Sequence, residues 1–457
     1  MTETDIVIIG AGTAGQTAAY GLIAEGYRVT VVEKSSQPGG VCALHGCQAK
    51  KWYYEVTETI ARSQHLQGLG ITTLPSANWS HIRQQKNLFT SKIPENTIAN
   101  LKGNGINYIE GTVVFTSPET VRVNDTEIKA RYFIIATGAR PMPLPIRGNE
   151  HLTTSNEFLD LKELPPRIIF IGGGFISFEF AHFAARLGAR PEDIHIFEVA
   201  ERPLGPFDGE MVAQLCKASE AVGIQIHTSS DIEGISADSG GYSIRLSSGE
   251  TFDTDLVVHG AGRIPDISSL NLDQIGVSYN RRGIEVNSRM ASSVATIFAV
   301  GDCADTVQLA RVADREAHIA AAAIIADEEN HSAPSSIDYN AVPAVLFTYP
   351  QLGMVGATEE TLIRDSIKYW KSYDKELTWP TYRRVGLKHA AYKILVDNDS
   401  KILGAHIISD NATGLINIFK QAILEGISVP DLHRDHIMTP YPSRESDIIY
   451  MLESLLD

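Results

Sequence analysis

Two cysteines close together in the chain are the residues best suited to chemistry. In the segment GGVCALHGCQAKKW, Cys42 and Cys47 are separated by four residues, and Gly46 lets the chain turn between them. The pattern from Cys47 through about Ser63 predicts a helix, which places Cys47 at a helix N-terminus beside two lysines. Both features lower the pKa of a thiol and favour the thiolate. The spacing therefore predicts a redox-active cysteine pair.

A zinc site is the main alternative for these cysteines. It needs about four ligands in two clusters, and the sequence has no second cysteine or histidine cluster with suitable spacing. We therefore expect no metal. The other two cysteines, Cys216 and Cys303, are far apart, so four cysteines in 457 residues do not form a disulfide scaffold. The N-terminus lacks the basic region of a secretory signal, which predicts a reducing, cytoplasmic location.

The N-terminal segment predicts a dinucleotide site. It reads as a strand (Asp5–Ile9), a glycine-rich turn, a helix (Ala14–Glu25) and a second strand (Tyr27–Val32). Glycines at such a turn let the backbone approach a pyrophosphate at the helix N-terminus, and an acid after the second strand accepts hydrogen bonds from ribose hydroxyls. The predicted binding residues are Gly10, Gly12, Gly15 and Glu33.

The same pattern recurs in PRIIFIGGGFISFEFAHFAARLGARPEDIHIFEVAERP. The turn carries Gly172 and Gly174, and Ser177 replaces the third glycine. Glu198 at the end of the next strand would repel a 2′-phosphate, so NADH is expected in preference to NADPH, although Arg202 lies close by. Two dinucleotide sites imply two dinucleotides. A bound carrier that accepts hydride from a nicotinamide is most economically FAD, at the first site.

Three strand–turn segments, FIIATGARP, VVHGAGRIPD and TIFAVGDCAD, support this organisation. Asp302 in the last of them could bond a sugar-like polyol. The helix expected from about Leu309 could direct its positive end at a flavin, where reduction builds negative charge. The residues predicted to bind cofactor in these segments are Thr137, Gly138, Gly262, Arg263, Gly301 and Asp302.

Length and composition set the wider frame. A chain of 457 residues is too long for one core. A formal net charge of −16 argues against nucleic-acid and anionic-membrane partners, and the longest apolar stretch, 317–326, is too short to span a bilayer. From about Tyr339 the pattern predicts an α+β region with an antiparallel sheet, which we interpret as a packing or dimerisation domain.

The motif G-G-x-C-x-x-x-x-G-C-x-x-x-K, set between the two nucleotide motifs, resembles the family of glutathione reductase, dihydrolipoamide dehydrogenase and mercuric reductase. The resemblance covers essentially the whole chain. It implies an α/β fold with two Rossmann-like dinucleotide-binding domains and an α+β C-terminal dimerisation domain. The implied domains are an FAD domain at 1–145 and 265–337, an NAD(P) domain at 146–264 and an interface domain at 338–457.

The resemblance also implies roles for single residues. Cys47 matches the flavin-proximal, charge-transfer thiol, and Cys42 matches the interchange thiol that attacks substrate. Lys51 matches the lysine whose charge lies near flavin N5, and Glu179 matches its ion-pair partner. Phe175 occupies the place of the aromatic residue that gates the nicotinamide pocket.

The C-terminus departs from the family pattern. Members that act on glutathione or dihydrolipoamide usually carry His-Pro, with a Glu several residues later, and the partner subunit's histidine is the acid/base. Here Tyr441 precedes Pro442, and Ser446 stands at the Glu position. Tyrosine, with a reference pKa near ~10, can donate a proton but is a poor base at neutral pH.

Three interpretations remain open at this point. Tyr441 replaces the histidine as an acid, or His433 or His436 takes the role from a shifted position, or the substrate needs little proton transfer. We favour a surface or interface role for both histidines. Mercuric reductase also lacks this histidine, but it typically carries a pair of cysteines near its C-terminus. The last cysteine of this chain is Cys303, so mercuric reduction is disfavoured.

The sequence therefore predicts a homodimeric, NADH-dependent flavoenzyme that acts on a small-molecule or protein-bound disulfide or dithiol, with substrate and direction unassigned. One alternative is an NADH oxidase, diaphorase or quinone reductase in which the cysteines are secondary. Another is a non-catalytic flavoprotein that senses redox state.

Overall fold

A computed structural model describes residues 2–238, 240–329 and 336–456. The chain divides into two compact units. The first unit comprises Met1–Lys51, Gln84–Met142 and Arg263–Ile337. The second comprises Trp52–Arg83, Pro143–Gly262 and Asp338–Asp457.

Helices and strands are numbered along the chain. The helices are α1 Thr13–Ala24, α2 Gly40–Leu44, α3 Cys47–His65, α4 Trp79–Thr90, α5 Ile93–Gly103, α6 Ser155–Phe158, α7 Phe175–Leu187, α8 Gly209–Glu220, α9 Ala310–Glu329, α10 Glu359–Arg364, α11 Pro380–Arg383, α12 Ala412–Glu425, α13 Val429–His436 and α14 Ile448–Leu452. The strands are β1 Thr2–Ile9, β2 Val29–Glu33, β3 Asn107–Glu110, β4 Val113–Ser117, β5 Thr120–Val123, β6 Thr126–Ile135, β7 Ala139–Pro141, β8 Ile168–Ile171, β9 Ile194–Phe197, β10 Gln225–His227, β11 Ile232–Asp238, β12 Gly241–Leu246, β13 Thr251–Thr254, β14 Leu256–His259, β15 Arg263–Pro265, β16 Tyr279–Asn280, β17 Gly283–Ile284, β18 Ile297–Ala299, β19 Ala344–Leu346, β20 Gln351–Gly356, β21 Trp370–Asp374, β22 Ala391–Val396 and β23 Ile402–Ser409.

The first unit is built on a seven-stranded sheet with the order β3-β2-β1-β6-β5-β4, and β18 also pairs with β6. Strands β3, β2, β1, β6 and β18 are mutually parallel. The central strand β1 is apolar and fully buried along its second half, as a strand covered on both faces should be. Small residues of α1 pack close to α9, and their buried faces are part of the same core as β1. Because the carboxyl ends of parallel strands meet at one edge, the turns after β1, β2, β6 and β18 share that edge.

The described residues of the second unit form three sheets. A four-stranded parallel sheet has the order β10-β9-β8-β14, and a three-stranded antiparallel sheet has the order β11-β12-β13. The C-terminal part forms a five-stranded antiparallel sheet, β19-β20-β23-β22-β21. Its core joins the sheet to apolar residues of α12, α13 and α14.

The predicted α/β class, with two dinucleotide-binding sheets and an α+β C-terminal region, is confirmed. Each predicted strand–turn–helix segment is present, with the first helix at Thr13–Ala24 and the second at Phe175–Leu187. The division into three domains stays a prediction. In the described part of the chain, every helix is too short or too polar to cross a membrane.

Candidate active site

The turn between β1 and α1 is a backbone cradle. Gly10 has φ of +112°, and a Cβ there would lie 2.4 Å from the carbonyl oxygen of Ala136. A Cβ on Gly15 would lie 1.9 Å from the carbonyl oxygen of Gly10. Gly12 is the N-cap of α1 and carries no side chain over the helix terminus. Positions 10 and 15 therefore require glycine, and the turn leaves the helix N-terminus open to an anion.

Glu33 closes this cradle from the end of β2. Its Oε2 accepts a hydrogen bond from the backbone N of Ala11 at 2.8 Å, and its Oε1 accepts one from the backbone N of Ser35 at 2.8 Å. The carboxylate is therefore fixed beside the glycine turn. A ribose hydroxyl placed there could donate to it.

The second unit repeats this construction. Gly172 has φ of +94°, and a Cβ there would lie 2.3 Å from Cα of Ala261. The Glu198 carboxylate accepts hydrogen bonds from the backbone N atoms of Gly173 (2.6 Å) and Ala200 (2.8 Å). The same two bonds hold the carboxylate as in the first unit.

Two further residues shape the second turn. Gly174 is the N-cap of α7, and the Ser177 hydroxyl donates to the Gly172 carbonyl, so serine serves in place of the third glycine. Arg202 donates to the carbonyl oxygens of Phe207 at 2.7 Å and Gly205 at 3.1 Å. Its guanidinium is thus tied to its own loop.

Cys42 and Cys47 lie in the first unit as free thiols. Cys42 is in α2 and half-buried, whereas Cys47 is exposed and is the first residue of α3. The pKa of the Cys42 thiol is raised, first by the hydrogen bond that it donates to Cys47 and then by burial. Both effects favour the protonated form of Cys42. Cys47 lies at the helix N-terminus, which is a position that stabilises a thiolate.

Asp302 and Arg263 lie in the same unit as the cysteines. Burial raises the pKa of Asp302, and the nearby Arg263 guanidinium opposes that shift. Arg263 also donates to the carbonyl oxygen of Ala139. The backbone N of Gly301 donates at 2.7 Å to Glu316, which is fully buried in α9. This bond fixes the turn that presents Asp302.

The remaining predicted residues occupy turns and helix ends. Thr137 and Gly138 follow β6, with Gly138 at φ of +68°, and Gly262 in the second unit has φ of +104°. Lys51 is half-buried and is the fifth residue of α3. The structure thus brings Gly10, Gly12, Gly15, Glu33, Cys42, Cys47, Lys51, Thr137, Gly138, Arg263, Gly301 and Asp302 into the first unit.

The second unit holds the other set: Gly172, Gly174, Phe175, Glu179, Glu198, Gly262 and Tyr441. Phe175 is exposed at the first position of α7. Glu179, one turn later, is buried, and its Oε1 accepts a hydrogen bond from the backbone N of Phe347 at 3.0 Å. The ion pair expected between Lys51 and Glu179 stays a prediction.

Tyr441 is largely exposed and precedes Pro442 through a cis peptide bond. Ser446, at the position of the family's glutamate, is buried and bonds both the backbone N and O of Ser443. His436 shares a hydrogen bond of 3.0 Å with the Leu432 carbonyl through Nδ1, so that nitrogen is committed to its own helix.

Sequence reasoning missed Glu316. A single glutamate within the alanine-rich stretch ARVADREAHIAAAAIIA could have signalled a buried carboxylate.

The first unit meets the requirements of FAD on its own geometry. The glycine cradle leaves backbone N–H groups of α1 for a pyrophosphate, and Glu33 and the half-buried Asp302 supply acceptors for ribose and polyol hydroxyls. The second cradle has the same parts for a pyridine nucleotide.

Comparison with known proteins agrees with two dinucleotide sites and a redox-active cysteine pair. Residues 4–317 match the pyridine nucleotide-disulphide oxidoreductase family, and residues 342–447 match the dimerisation domain of that family. Dihydrolipoyl dehydrogenase from Geobacillus stearothermophilus is 30% identical over 441 residues, covering 94% of this chain and 92% of the relative. Glutathione reductase from Schizosaccharomyces pombe is 27% identical over 468 residues, covering 98% of both chains. The solved structure of the HOCl-induced flavoprotein disulfide reductase RclA from Escherichia coli has a TM-score of 0.86 at 26% identity, covering 99% of this chain and 100% of RclA.

The fold and the paired cysteines define a flavoprotein oxidoreductase acting on sulfur groups. The chain belongs to the class I pyridine nucleotide–disulfide oxidoreductase family, as the sequence predicted. Its activity is FAD-dependent pyridine nucleotide–disulfide oxidoreduction, and it carries a dimerisation domain at its C-terminal end.

Proposed function

We propose that this chain uses NADH to reduce a disulfide substrate through the Cys42–Cys47 pair. The observation that carries the proposal is the hydrogen-bonded thiol pair at the start of α3, in the same unit as the first dinucleotide cradle. Bound FAD would supply the two-electron link between the nicotinamide and the cysteine pair. The first cradle, Glu33 and Asp302 would hold it.

The cysteines divide the sulfur chemistry between them. Cys42 loses its proton and attacks one sulfur of the substrate disulfide as a thiolate, and a mixed disulfide forms as the first substrate thiolate leaves and takes up one proton in place of the one released. Cys47 then attacks the Cys42 sulfur, which releases the second substrate thiolate and forms the Cys42–Cys47 disulfide. Two electrons pass from the cysteine pair to the substrate.

The neighbouring residues keep the roles implied by the family resemblance. Lys51 would hold positive charge near flavin N5, with Glu179 as its counter-ion. Phe175 would gate the nicotinamide pocket, and it lies exposed at the start of α7. Of these three, Glu179 is already positioned by the bond from the Phe347 backbone.

NADH is the proposed donor because of Glu198 and Arg202. The Glu198 carboxylate is fixed beside the second turn, where it would repel a 2′-phosphate, and the Arg202 guanidinium is bonded to carbonyls of its own loop. We expect kcat/KM for NADH to exceed that for NADPH by at least ~10-fold, and Glu198→Ala to narrow the gap. Equal values for both nucleotides in the unmodified enzyme would refute the preference.

Reduction of a disulfide is the proposed direction because Tyr441, and not a histidine base, precedes Pro442. Oxidising a dithiol requires a group that accepts the substrate proton, whereas reducing a disulfide ends in thiolates that need a donor. Tyr441 can donate, and the Ser446 hydroxyl is held by Ser443. Dihydrolipoamide oxidation is accordingly expected to be slow.

The proposed assembly is a homodimer formed through the dimerisation domain. Ile437, Met438 and Tyr441 are large apolar side chains left exposed on that domain, and a partner would cover them. The cytoplasmic location expected from the sequence stays a prediction.

Cysteine variants test the proposal. Anaerobic NADH titration of the purified flavoprotein should consume two reducing equivalents beyond those of the flavin, and NADH-dependent turnover of a panel of disulfides should disappear in Cys42→Ser. Cys216→Ser, at a half-buried position on α8, is the matched control and should behave as the unmodified enzyme.

The same variants separate the alternatives. If Cys42→Ser retains full activity with every substrate that the enzyme turns over, the chain is a diaphorase or quinone reductase with secondary cysteines. If NADH reduces neither the flavin nor the cysteines, the non-catalytic redox sensor is the better description.

A further inference from the structure

The surroundings of Cys42 begin with a close backbone approach. A Cβ added to Gly40, the first residue of α2, would lie 2.7 Å from Cα of Gly12, the N-cap of α1. This contact packs α2 against α1 and sets Cys42, two residues after Gly40, beside Thr13, the first residue of α1. The Thr13 hydroxyl forms a hydrogen bond with the Cys42 thiol.

One turn further along α1, a second hydroxyl meets a carboxylate. The Thr17 hydroxyl donates to Oδ1 of Asp314 at 3.4 Å, and Asp314 lies on α9, which packs against α1. Its side chain is 18% exposed and forms an ion pair at 2.8 Å with Arg311, which is almost fully exposed. The Asp314 charge lies close enough to Cys42 to disfavour the thiolate.

The two neighbours act on Cys42 in opposite senses. A hydroxyl donor stabilises a thiolate, whereas a nearby carboxylate destabilises it. Cys47 from α3 and Asp314 from α9 are ionisable groups that act on the thiol, and Arg311 pairs with the Asp314 carboxylate. The Thr13 hydroxyl favours the ionised form of the Cys42 thiol, whereas Cys47 and Asp314 oppose it.

We propose that Thr13 and Asp314 are positioning residues that set how much of reduced Cys42 is thiolate, Thr13 raising the share and Asp314 lowering it. The inference rests on the proposed function, in which Cys42 attacks the substrate. It assigns to the same chain a task that the family resemblance gives to a histidine of the partner subunit. Thr13 does so by stabilising the thiolate and not by accepting its proton.

The test is the pH dependence of Cys42 alkylation in the FAD-loaded dimer. The reduced enzyme is treated anaerobically with iodoacetamide across pH 5.5–10 (about this range covers ordinary thiols), and the modified cysteine is identified by mass spectrometry. One series is reduced with NADH and a parallel series with a phosphine reductant. The variants are Thr13→Val, which keeps the shape and removes the donor, Thr13→Ser, which keeps the donor, and Asp314→Asn.

The expected shifts have opposite signs. Thr13→Val should raise the midpoint pH of Cys42 alkylation by roughly one unit, which slows alkylation about tenfold below the midpoint. Thr13→Ser should match the unmodified enzyme, and Asp314→Asn should lower the midpoint. A merely structural role for Thr13 would change flavin content or stability and leave the midpoint in place.

Two results would overturn the inference: a Thr13→Val midpoint equal to that of the unmodified enzyme, or an Asp314→Asn midpoint that does not fall. If Thr13→Val fails to retain FAD, the midpoint pH of Cys42 alkylation is measured in Thr13→Ala and Asp314→Asn instead. If NADH does not reduce the pair but the phosphine series shows the shifts, the proposed function fails and the inference stands. If neither series shows them, the inference itself fails.

Discussion

At the scale of a residue, Asp302 illustrates how a binding group costs stability until its ligand arrives. Its carboxylate is placed where burial raises its pKa, and Arg263 offsets only part of that effect. A polyol hydroxyl donating to the carboxylate would stabilise its ionised form. The surroundings of Asp302 therefore favour its ionised carboxylate more when FAD is bound than in the FAD-free protein.

Asp302→Asn tests this trade-off. Because the folded-state pKa is raised, the Asp302 carboxylate does not lower the folding stability below the ordinary aspartate pKa of ~3.9. It lowers that stability by the full amount above the folded-state pKa. Flavin-stripped Asp302→Asn should therefore have a higher Tm than the stripped parent at pH 7, with the difference vanishing below about pH 4. FAD retention, measured as the 450 nm to 280 nm absorbance ratio, should fall. A stripped variant less stable than its parent at pH 7 would contradict the argument.

Gly10 is the residue on which the first cradle depends. Gly10→Ala would strain a φ of +112° and force a Cβ to within 2.4 Å of the Ala136 carbonyl oxygen, so backbone must move. We expect a loss of at least ~2 kcal/mol in the free energy of unfolding, together with loss of bound FAD. Gly103→Ala, at the end of α5 with open space around it, is the control and should be neutral or stabilising by up to ~1 kcal/mol.

At the scale of an element, the sequence predicts what is decided locally. Glycine turns, the acids that follow them and the start of α3 at Cys47 each depend on a few consecutive residues, so their pattern is visible in the sequence. The hydrogen bonds around Cys42 are not, because Thr13 and Asp314 lie on different helices about 300 residues apart and only the packing of α1 on α9 brings them together.

A buried charge cluster in the second unit was also not predictable from the sequence, because its residues are far apart along the chain. Lys393 on β22 is 1% exposed and lies 2.8 Å from Asp208, the N-cap of α8, across 185 residues of sequence. It also contacts Glu359, the first residue of α10, at 2.7 Å and Glu210 at 2.6 Å. The cluster links a strand to two helix N-termini, and local sequence patterns do not predict it.

Lys393→Met should be strongly destabilising, by about 3–5 kcal/mol at pH 7, because it leaves the buried Asp208 carboxylate without its cation. Lys371→Met removes a more exposed lysine from the same cluster and should cost less than ~1 kcal/mol. Urea denaturation of both variants and the parent provides the comparison. A loss for Lys393→Met no larger than that for Lys371→Met would show that the cluster contributes little.

The same cluster has a predictable pH dependence. Burial opposes ionisation of Glu359, but hydrogen bonds from Lys393, Tyr369 and Lys371 prevail and lower its pKa to about 2. A lowered folded-state pKa stabilises the protein above the ordinary glutamate pKa of ~4.3, and that stability is lost as the pH falls toward 2. The gap between the parent and Lys393→Met should therefore narrow between about pH 5 and pH 2.

At the scale of the whole molecule, the C-terminal tip links assembly to catalysis. Tyr441 follows two exposed apolar residues, Ile437 and Met438, and stands where relatives place a residue that serves the partner's site. If Tyr441 acts across the interface, each cysteine pair depends on the tyrosine of the other subunit. Two inactive variants, one without Cys42 and one without Tyr441, should then complement each other in a mixed dimer.

Mixed dimers of Cys42→Ser and Tyr441→Ala provide the decisive measurement. Random pairing gives about half heterodimers, and each contains one site with an intact Cys42 facing an intact Tyr441, so about a quarter of the parent disulfide reductase activity should return after mixing. A mixture of Cys42→Ser with Cys47→Ser is the control and should stay inactive, since every site lacks one cysteine. If the mixture of Cys42→Ser and Tyr441→Ala is no more active than the mean of its components, although native mass spectrometry shows the heterodimer, Tyr441 does not act in trans.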